Sequence, residues 1–405
     1  MSADVAGLPG MDRLLPALDG LPPAYLVGGA VRDLLLGESS VDLDVALEGD
    51  ALAAAWELAE RLGGRAMTHE RFGTATVRTD DGLVVDLAGT RRETYAAPGA
   101  LPEVAPAPLA EDLARRDFTI NAMAVGLSED DLGATHDPHG GRADLAAGLV
   151  RVLHDRSFVD DPTRLLRAVR YAVRLGFELE PETERLAREA IAAGAPSTVS
   201  GPRVRDELLD LLGEEEAAAA LRVVRDLGLD HALHPSFVAD PDLAASGALG
   251  SAETGADRRL AALAALVSRA PDELEDWVDS LALGRGDRSS VMAAARQGPS
   301  LVRALRADPP PSAVHALLRC EPAETLAVAL AYGAPAAPIH RFLADLRDVH
   351  LEVTGDDLVA AGVPESPAIG RALDETLRMK LDGRLEGGRD EELRTALEIA
   401  RREST

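Results

Sequence analysis

Hydrophobic and polar positions change their period near residue 150. Before it, short apolar runs alternate with helix-period segments. Residues 25–27 read as a strand, Gly28-Gly29 as a turn, and 31–36 as a helix that Gly37 ends. Residues 42–47 alternate polar and apolar, the period of a half-buried strand, which puts Leu43, Val45 and Leu47 on the inward face. Residues 51–62 have helical spacing and stop at Gly63-Gly64. Residues 74–78 and 83–87 read as a hairpin turning at 80–82. The stretch 95–110, rich in Pro, Ala and Gly, reads as a mobile loop.

From 151 onward the pattern is helical almost throughout. The spacing predicts helices over 162–175, 181–193, 202–212, 215–227, 257–268, 271–281, 287–306, 311–318, 322–331, 336–348, 355–361, 367–381 and 389–402. The loop-rich stretch 235–256 marks a domain boundary, and no repeat of fixed period appears. The expected fold class is α+β: a small α/β head, then a long helical remainder.

Composition changes this picture only in part. The 405 residues carry 69 acids and 42 bases, a formal net charge of −27. Phosphate binding needs a basic footprint, so the global balance argues against nucleic acid as a partner. Lys380 is the only lysine and the other 41 bases are arginine, which points to a codon-usage bias instead. Local clusters therefore carry more weight than the total. Cys320 is the only cysteine, which excludes an internal disulfide framework and a zinc site of several thiolates. No apolar run is long enough to span a membrane, and the acidic start lacks the layout of a signal peptide. A cytoplasmic protein with no membrane partner is expected.

Candidate chemistry begins at Asp42-Leu43-Asp44. Residues two apart in a strand share a face, so the two carboxylates stand side by side, and they repel unless a cation lies between them. Oxygen ligands in this arrangement suit Mg²⁺, which takes one or two carboxylates plus substrate phosphates. A bare pair of this kind is also what a polar strand edge looks like. Upstream, however, lies Gly28-Gly29-Ala30-Val31-Arg32-Asp33. A strand that ends in Gly-Gly and opens a helix presents backbone N–H groups suited to phosphate, and Arg32 adds a charged donor. Phosphate turn and carboxylate pair together point to phosphoryl or nucleotidyl transfer. Asp86, in a neighbouring apolar strand, is a candidate third carboxylate. Arg116 and Asp117 precede the apolar run from Phe118, where an arginine meets phosphate and a carboxylate accepts from ribose hydroxyls.

Residues 151–177 hold six arginines against Asp155, Asp160 and Asp161, a net +3 island. At 100° per residue Leu165, Leu166, Val169, Ala172 and Val173 share one arc of about 120°. Arg164, Arg167, Arg170 and Arg174 share the opposite arc, where Asp161 is the only acid. Four uncompensated arginines on one helix face expect an anionic or planar hydrogen-bonding ligand.

The segments GGAVRD, VDLDVAL, RRDFTINAMA and DDPTRLLRAVRYAVRLGF, in this order, resemble the bacterial class II tRNA nucleotidyltransferase / poly(A) polymerase family. The run from Thr354 to Leu358, with Gly370 and Leu381-Asp382-Gly383, is similar to that family's terminal helical region. The resemblance implies a polymerase-β-like head over 1–150, a neck over 151–235, a body over 236–345 and a tail over 346–405. It implies template-independent, two-metal addition of CCA, or part of it, to the tRNA 3′ end from CTP and ATP with Mg²⁺. Asp42 and Asp44 match the metal pair, and Gly29 and Arg32, with Gly28 beside them in the turn, the phosphate contacts. Arg116 and Asp117 match the ribose motif, Asp161 and Arg164 the base-edge readers, and Arg167 and Arg170 the arginines behind base and triphosphate. The family motif often begins Glu-Asp, and here it is Asp160-Asp161.

That last assignment has a physical basis. Cytosine and adenine both present an amino donor beside a ring-nitrogen acceptor, which a carboxylate and a guanidinium satisfy together. Uracil and guanine reverse the order and leave a buried polar group unpaired, at about 1–3 kcal/mol. The i, i+3 spacing of Asp161 and Arg164 puts both on one helix face. His231 and His234 lack the His-Asp pattern of an appended phosphohydrolase and read as structural. Full CCA, CC-only, A-only and poly(A) specificity all remain open at this level, as does the oligomeric state. An inactive RNA-binding relative is disfavoured by the intact carboxylates.

Overall fold

The computed structural model describes residues 5–38, 43–70 and 73–403. The chain forms two compact units, Met1–Glu207 with Val223–Leu233, and Leu208–Arg222 with His234–Thr405. Among the described residues no helix is long and apolar enough to cross a membrane.

In the first unit, helix α1 (Met11–Ala17) leads into strand β1 (Ala24–Val27), helix α2 (Gly29–Leu36) and strand β2 (Leu43–Leu47). Helix α3 (Ala51–Leu62) is followed by strands β3 (Gly64–His69), β4 (Thr74–Thr79), β5 (Val84–Gly89), β6 (Arg91–Thr94) and β7 (Glu103–Pro106). Helix α4 (Leu109–Ala114), strands β8 (Ala124–Gly126) and β9 (Thr135–His136), and helix α5 (Gly141–Ala147) complete the sheet-bearing part. Seven strands form one sheet in the order β3-β4-β5-β2-β1-β8-β9. Strands β2 and β5 run parallel, and the other neighbours are antiparallel.

The alternation of β2 explains its place at the centre. Leu43, Val45 and Leu47 are buried, as expected, and α3 packs on strands β3, β4 and β5 through a face of Ala54, Ala55, Leu58 and Leu62. The opposite face of the sheet is covered at one end by α4. There Leu109 and Leu113 of α4 pack on Val27, Ala46 and Ala124. Asp44, two residues before Ala46 on the same face, lies beyond that cover.

Two readings of this region need correction. Strand β3 falls where no element was expected, because its inward positions are Gly64, Ala66 and Thr68 while Arg65, Met67 and His69 point outward, so no apolar alternation marks it. The stretch 95–110 holds strand β7, paired with β6, and the first residues of α4. Its Pro- and Ala-rich sequence hides a ladder carried by backbone hydrogen bonds and little burial.

After the strand β10 (Leu149–Val150) come α6 (Ser157–Asp160) and α7 (Arg164–Leu175). Helix α7 starts later than the expected 162, since Pro162 and Thr163 form a turn.

The second unit is helical. The segment 235–256, read as loop, contains the helix Pro241–Thr254. It is built from small residues with no amphipathic stripe, and small size is what its packing requires. A Cβ on Gly250 would stand 2.8 Å from the Ala327 carbonyl oxygen, and one on Gly247 3.0 Å from that of Ala261. The expected helix 336–348 is Ala336–Arg341 followed by a π-helical turn, Phe342–Leu346. Near the C-terminus Lys380 Nζ donates to Glu392 at 2.6 Å and to the His350 carbonyl at 3.0 Å, with Glu392 fully buried.

Candidate active site

The turn after β1 is set by Gly28, whose φ of 70° favours glycine. A Cβ there would approach the Arg116 guanidinium at 3.2 Å. Helix α2 starts at Gly29, and no side chain caps it. Its first amides therefore open onto a cleft of about 360 Å³, lined by Gly28, Gly29, Asp44, Arg116, Asp117, Asp161, Arg164 and Arg167 among others. A larger groove of about 820 Å³ between Glu48 and Pro108 is lined by Gly, Ala and Pro together with Glu48, Asp50, Glu70 and Arg91, and by none of the residues expected in a site.

Asp44 stands directly opposite Asp86 in the parallel register of β2 and β5. Adjacent strands lie about 4.8 Å apart, so the two carboxylates share one patch of the open face. Thr76, opposite Asp86 on β4, donates its hydroxyl to Asp86 Oδ1 at 2.5 Å. Asp42, expected beside Asp44, lies outside the described residues. Among the described residues no cluster of three or more His, Cys, Asp and Glu forms a metal cage. The hard-oxygen pair Asp44–Asp86 has the chemistry of a ligand set for a divalent cation that keeps part of its shell for phosphate and water.

The segment after α4 supplies a buried charge network. Asp112, 1% exposed, accepts from Arg115 at 2.7 Å and from Arg116 at 2.9 Å. Asp117 accepts from the Phe118 N–H at 2.8 Å, from Asn121 at 3.1 Å and from Arg167 at 2.9 and 3.0 Å. Burial opposes its ionisation, but Arg167, Asn121 and Phe118 together hold the carboxyl below the ordinary range. Arg167 also donates to Glu207 at 3.0 Å.

Helix α7 is therefore not the uncompensated arginine face expected from its own sequence. Its acids come from distant segments: Asp117 and Glu207 serve Arg167, and Glu207 faces Arg170 at 3.7 Å. Arg164 and Arg170 are buried. The expected placement of Asp161 and Arg164 on one helix face does not hold either. Asp161 is in extended backbone before α7, and its Oδ1 accepts from Thr163 at 2.6 Å and from Arg203 at 2.7 Å. Arg164 donates to Ser157 and to the Arg115 carbonyl, both at 2.7 Å.

Arg32 and Arg170 do not line the cleft. Arg32 donates to Asp33 and to Asn121, each at 2.8 Å. Arg32, Arg167 and Arg170 stand 5.3, 5.4 and 5.6 Å from the centroid of the Tyr171 ring. Sequence reasoning gave no role to Tyr171, Asn121, Glu93, Tyr95 or Arg115, all of which line the cleft. Tyr171 had a signal, being one turn from Arg167 on the polar arc of α7. Glu93 and Tyr95 had none, since they lie at the edge of the stretch read as loop. Burial, opposed by Arg164 and aided by Glu93, pushes the Tyr95 phenol up to about 12, so it stays a neutral donor.

Residues 24–151 match the poly A polymerase head domain, and 176–240 match a probable RNA and SrmB-binding site of polymerase A. The chain is 36% identical over 399 residues to the A-adding tRNA nucleotidyltransferase of Geobacter sulfurreducens, covering 93% of this chain and 45% of that one. It spans less than half the length of the curated A-adding relatives it matches. To the CC-adding tRNA nucleotidyltransferase of Deinococcus radiodurans it is 36% identical over 375 residues, 92% of this chain and 88% of that one. The chain belongs to the tRNA nucleotidyltransferase family. A solved CCA-adding enzyme in its apo form II aligns over 95% of this chain and 94% of its own, with TM-score 0.82 and 33% identity. The α+β architecture, a sheet-bearing head followed by helices, is that of the tRNA nucleotidyltransferases.

Proposed function

We propose that this chain adds nucleotides to the 3′ end of tRNA, building CCA from CTP and ATP without a template. The observation that carries this is the in-register pair Asp44–Asp86 on an open sheet face, beside the Gly28-Gly29 turn and a cleft walled by arginines. Relatives of known structure have been solved with CTP, with ATP and with tRNA.

Gly28, Gly29 and Arg116 hold the triphosphate, in this reading, and Asp117 meets the ribose while it anchors Arg167. Asp161 and Arg164 select the base. Oδ1 of Asp161 is occupied by Thr163 and Arg203, and Oδ2 is the oxygen that accepts from an incoming amino group in this reading. Each terminal nitrogen of Arg164 spends one donor on Ser157 or Arg115 and keeps another for a ring nitrogen. Asp42, Asp44 and Asp86 hold the divalent ions, Mg²⁺ in this assignment. When bound, these ions draw charge from the triphosphate and favour attack of the RNA 3′ oxygen on the α-phosphorus, with pyrophosphate leaving. The setting is cytoplasmic, where tRNA, CTP and ATP are at hand.

The test is direct. Purified protein is given tRNAs ending before C, before the second C and before A, with each nucleotide supplied singly. Addition of C, C and then A supports the reading. Addition of C alone or A alone narrows it to a partial enzyme, and unlimited A addition makes it a poly(A) polymerase. Asp44→Ala should abolish all addition while tRNA binding persists.

A further inference from the structure

The open sheet face does not end at the carboxylates. Strand order places the Gly28-Gly29 turn, after β1, on one side of β2 and β5, and strands β4 and β3 on the other. Thr76 of β4 faces Asp86, and Met67 of β3 faces Thr76, so Asp44, Asp86, Thr76 and Met67 form one cross-strand row. Two residues along, on the same face, Arg78 stands directly opposite Arg65.

Like charges paired across antiparallel strands are destabilising, with Cβ atoms about 5 Å apart. Both arginines are exposed, and among the described residues neither makes an ion pair. On this face Asp86 is the diagonal neighbour of Arg78, and among the described residues no acid stands directly opposite either arginine. Met67 beside them is 56% exposed, an apolar surface on which a base can rest. An opposing charge from outside the described residues would relieve the pair, and a phosphate within about 7 Å of the carboxylate row meets the need. A second copy of this edge would bring arginines against arginines, so the occupant is a polyanion.

We infer that Arg65 and Arg78, with Met67, form the track that holds the backbone of the RNA acceptor strand as its 3′ end enters over Asp86. This rests on the proposed nucleotidyl transfer and goes further by dividing the sheet face. The nucleotide triphosphate lies on the β1 side of the carboxylates, and the acceptor strand on the β3–β4 side.

The test is the double variant Arg65→Ala/Arg78→Ala of the full chain, with Arg65→Lys/Arg78→Lys as the charge-retaining control. Fluorescent tRNA lacking its CCA end is titrated directly, so the track is measured whether or not nucleotide is added. The alanine variant should lose about tenfold or more in tRNA affinity, and its log affinity should fall less steeply with log salt, by about 0.7–1.4 for one or two phosphates. In kinetics the KM for tRNA should rise while the KM for CTP and kcat stay within about twofold, and the lysine variant should keep most of the affinity. The thermal midpoint should hold or rise, since a like-charge contact is removed. Unchanged tRNA affinity with normal addition would overturn the track and leave the proposed function standing. A raised KM for CTP in place of tRNA would overturn it too, by assigning the arginines to the triphosphate. Weakened tRNA binding in the alanine variant, where the wild type itself adds no nucleotide, would sustain the track and sink the proposed activity.

Discussion

Arg167 places two donors on one oxygen of Asp117, Nε at 3.0 Å and Nη2 at 2.9 Å. The contact ties the segment after α4 to helix α7 across fifty residues of sequence. Asp117 is ionised in the fold below its ordinary value of 3.8. A depressed carboxylate stabilises the folded state above its unfolded pKa, and that stability is lost as pH falls through the folded value. Asp117→Asn should therefore cost about 2–4 kcal/mol at neutral pH. It should also flatten the loss of stability between about pH 5 and pH 2. Urea midpoints of the two proteins across this range check the sign, and parallel curves would contradict it.

Asp86→Asn should slow CTP incorporation by about 10²-fold or more while leaving tRNA affinity within about twofold. The change keeps the acceptor for Thr76 and removes only the charge facing Asp44. Single-turnover incorporation together with tRNA titration separates the two effects, and a normal rate would remove Asp86 from the metal-binding set.

Arg164→Ala should change which nucleotide is accepted. With the ring-nitrogen donor gone, Asp161 alone favours any base with an N–H to give, so UTP or GTP should gain relative to CTP and ATP. If Arg164 serves only to join Ser157 to the Arg115 carbonyl, all four nucleotides will fall by a similar factor. Incorporation of each nucleotide on tRNA ending before CCA decides between the two.

Tyr171 is a positioning residue, because its ring is the common wall for Arg32, Arg167 and Arg170. A cation–π contact is worth about 0.5–2 kcal/mol, so Tyr171→Leu should raise the KM for CTP by about two- to thirtyfold. Tyr171→Phe keeps the ring and loses only the hydroxyl contact to Arg167 at 3.2 Å, and it should stay within about threefold. Equal effects of the two substitutions on KM would place the function in the hydroxyl.

What could be read from sequence follows the range of the interactions. The strand β2, the turn at Gly28 and the helix α3 announce themselves because their periodicity and glycines are local. Strand β3 did not, since its inward side is Gly, Ala and Thr. The helix Pro241–Thr254 was missed because its glycines, read as loop signals, are there for close approach to neighbouring helices. The site divides the same way. Asp44, Arg116, Asp117, Asp161, Arg164 and Arg167 were legible as motif residues, and the cleft brings them together. Their partners were not: Glu207 lies forty residues from Arg167, and Arg203 forty-two from Asp161. Charge balance on α7 is a property of the folded neighbourhood, so a helical wheel of α7 alone overstates its positive face.

Lys380 leaves this protein with one side-chain amine, and that amine is engaged by a fully buried carboxylate. Acylating reagents react only with a free, unprotonated amine, so modification at Lys380 has to wait for the Glu392 contact to open. The rate of labelling by an amine-reactive probe thus becomes a clock for the loosening of the last helices, read at a single position by mass spectrometry and needing no engineered tag.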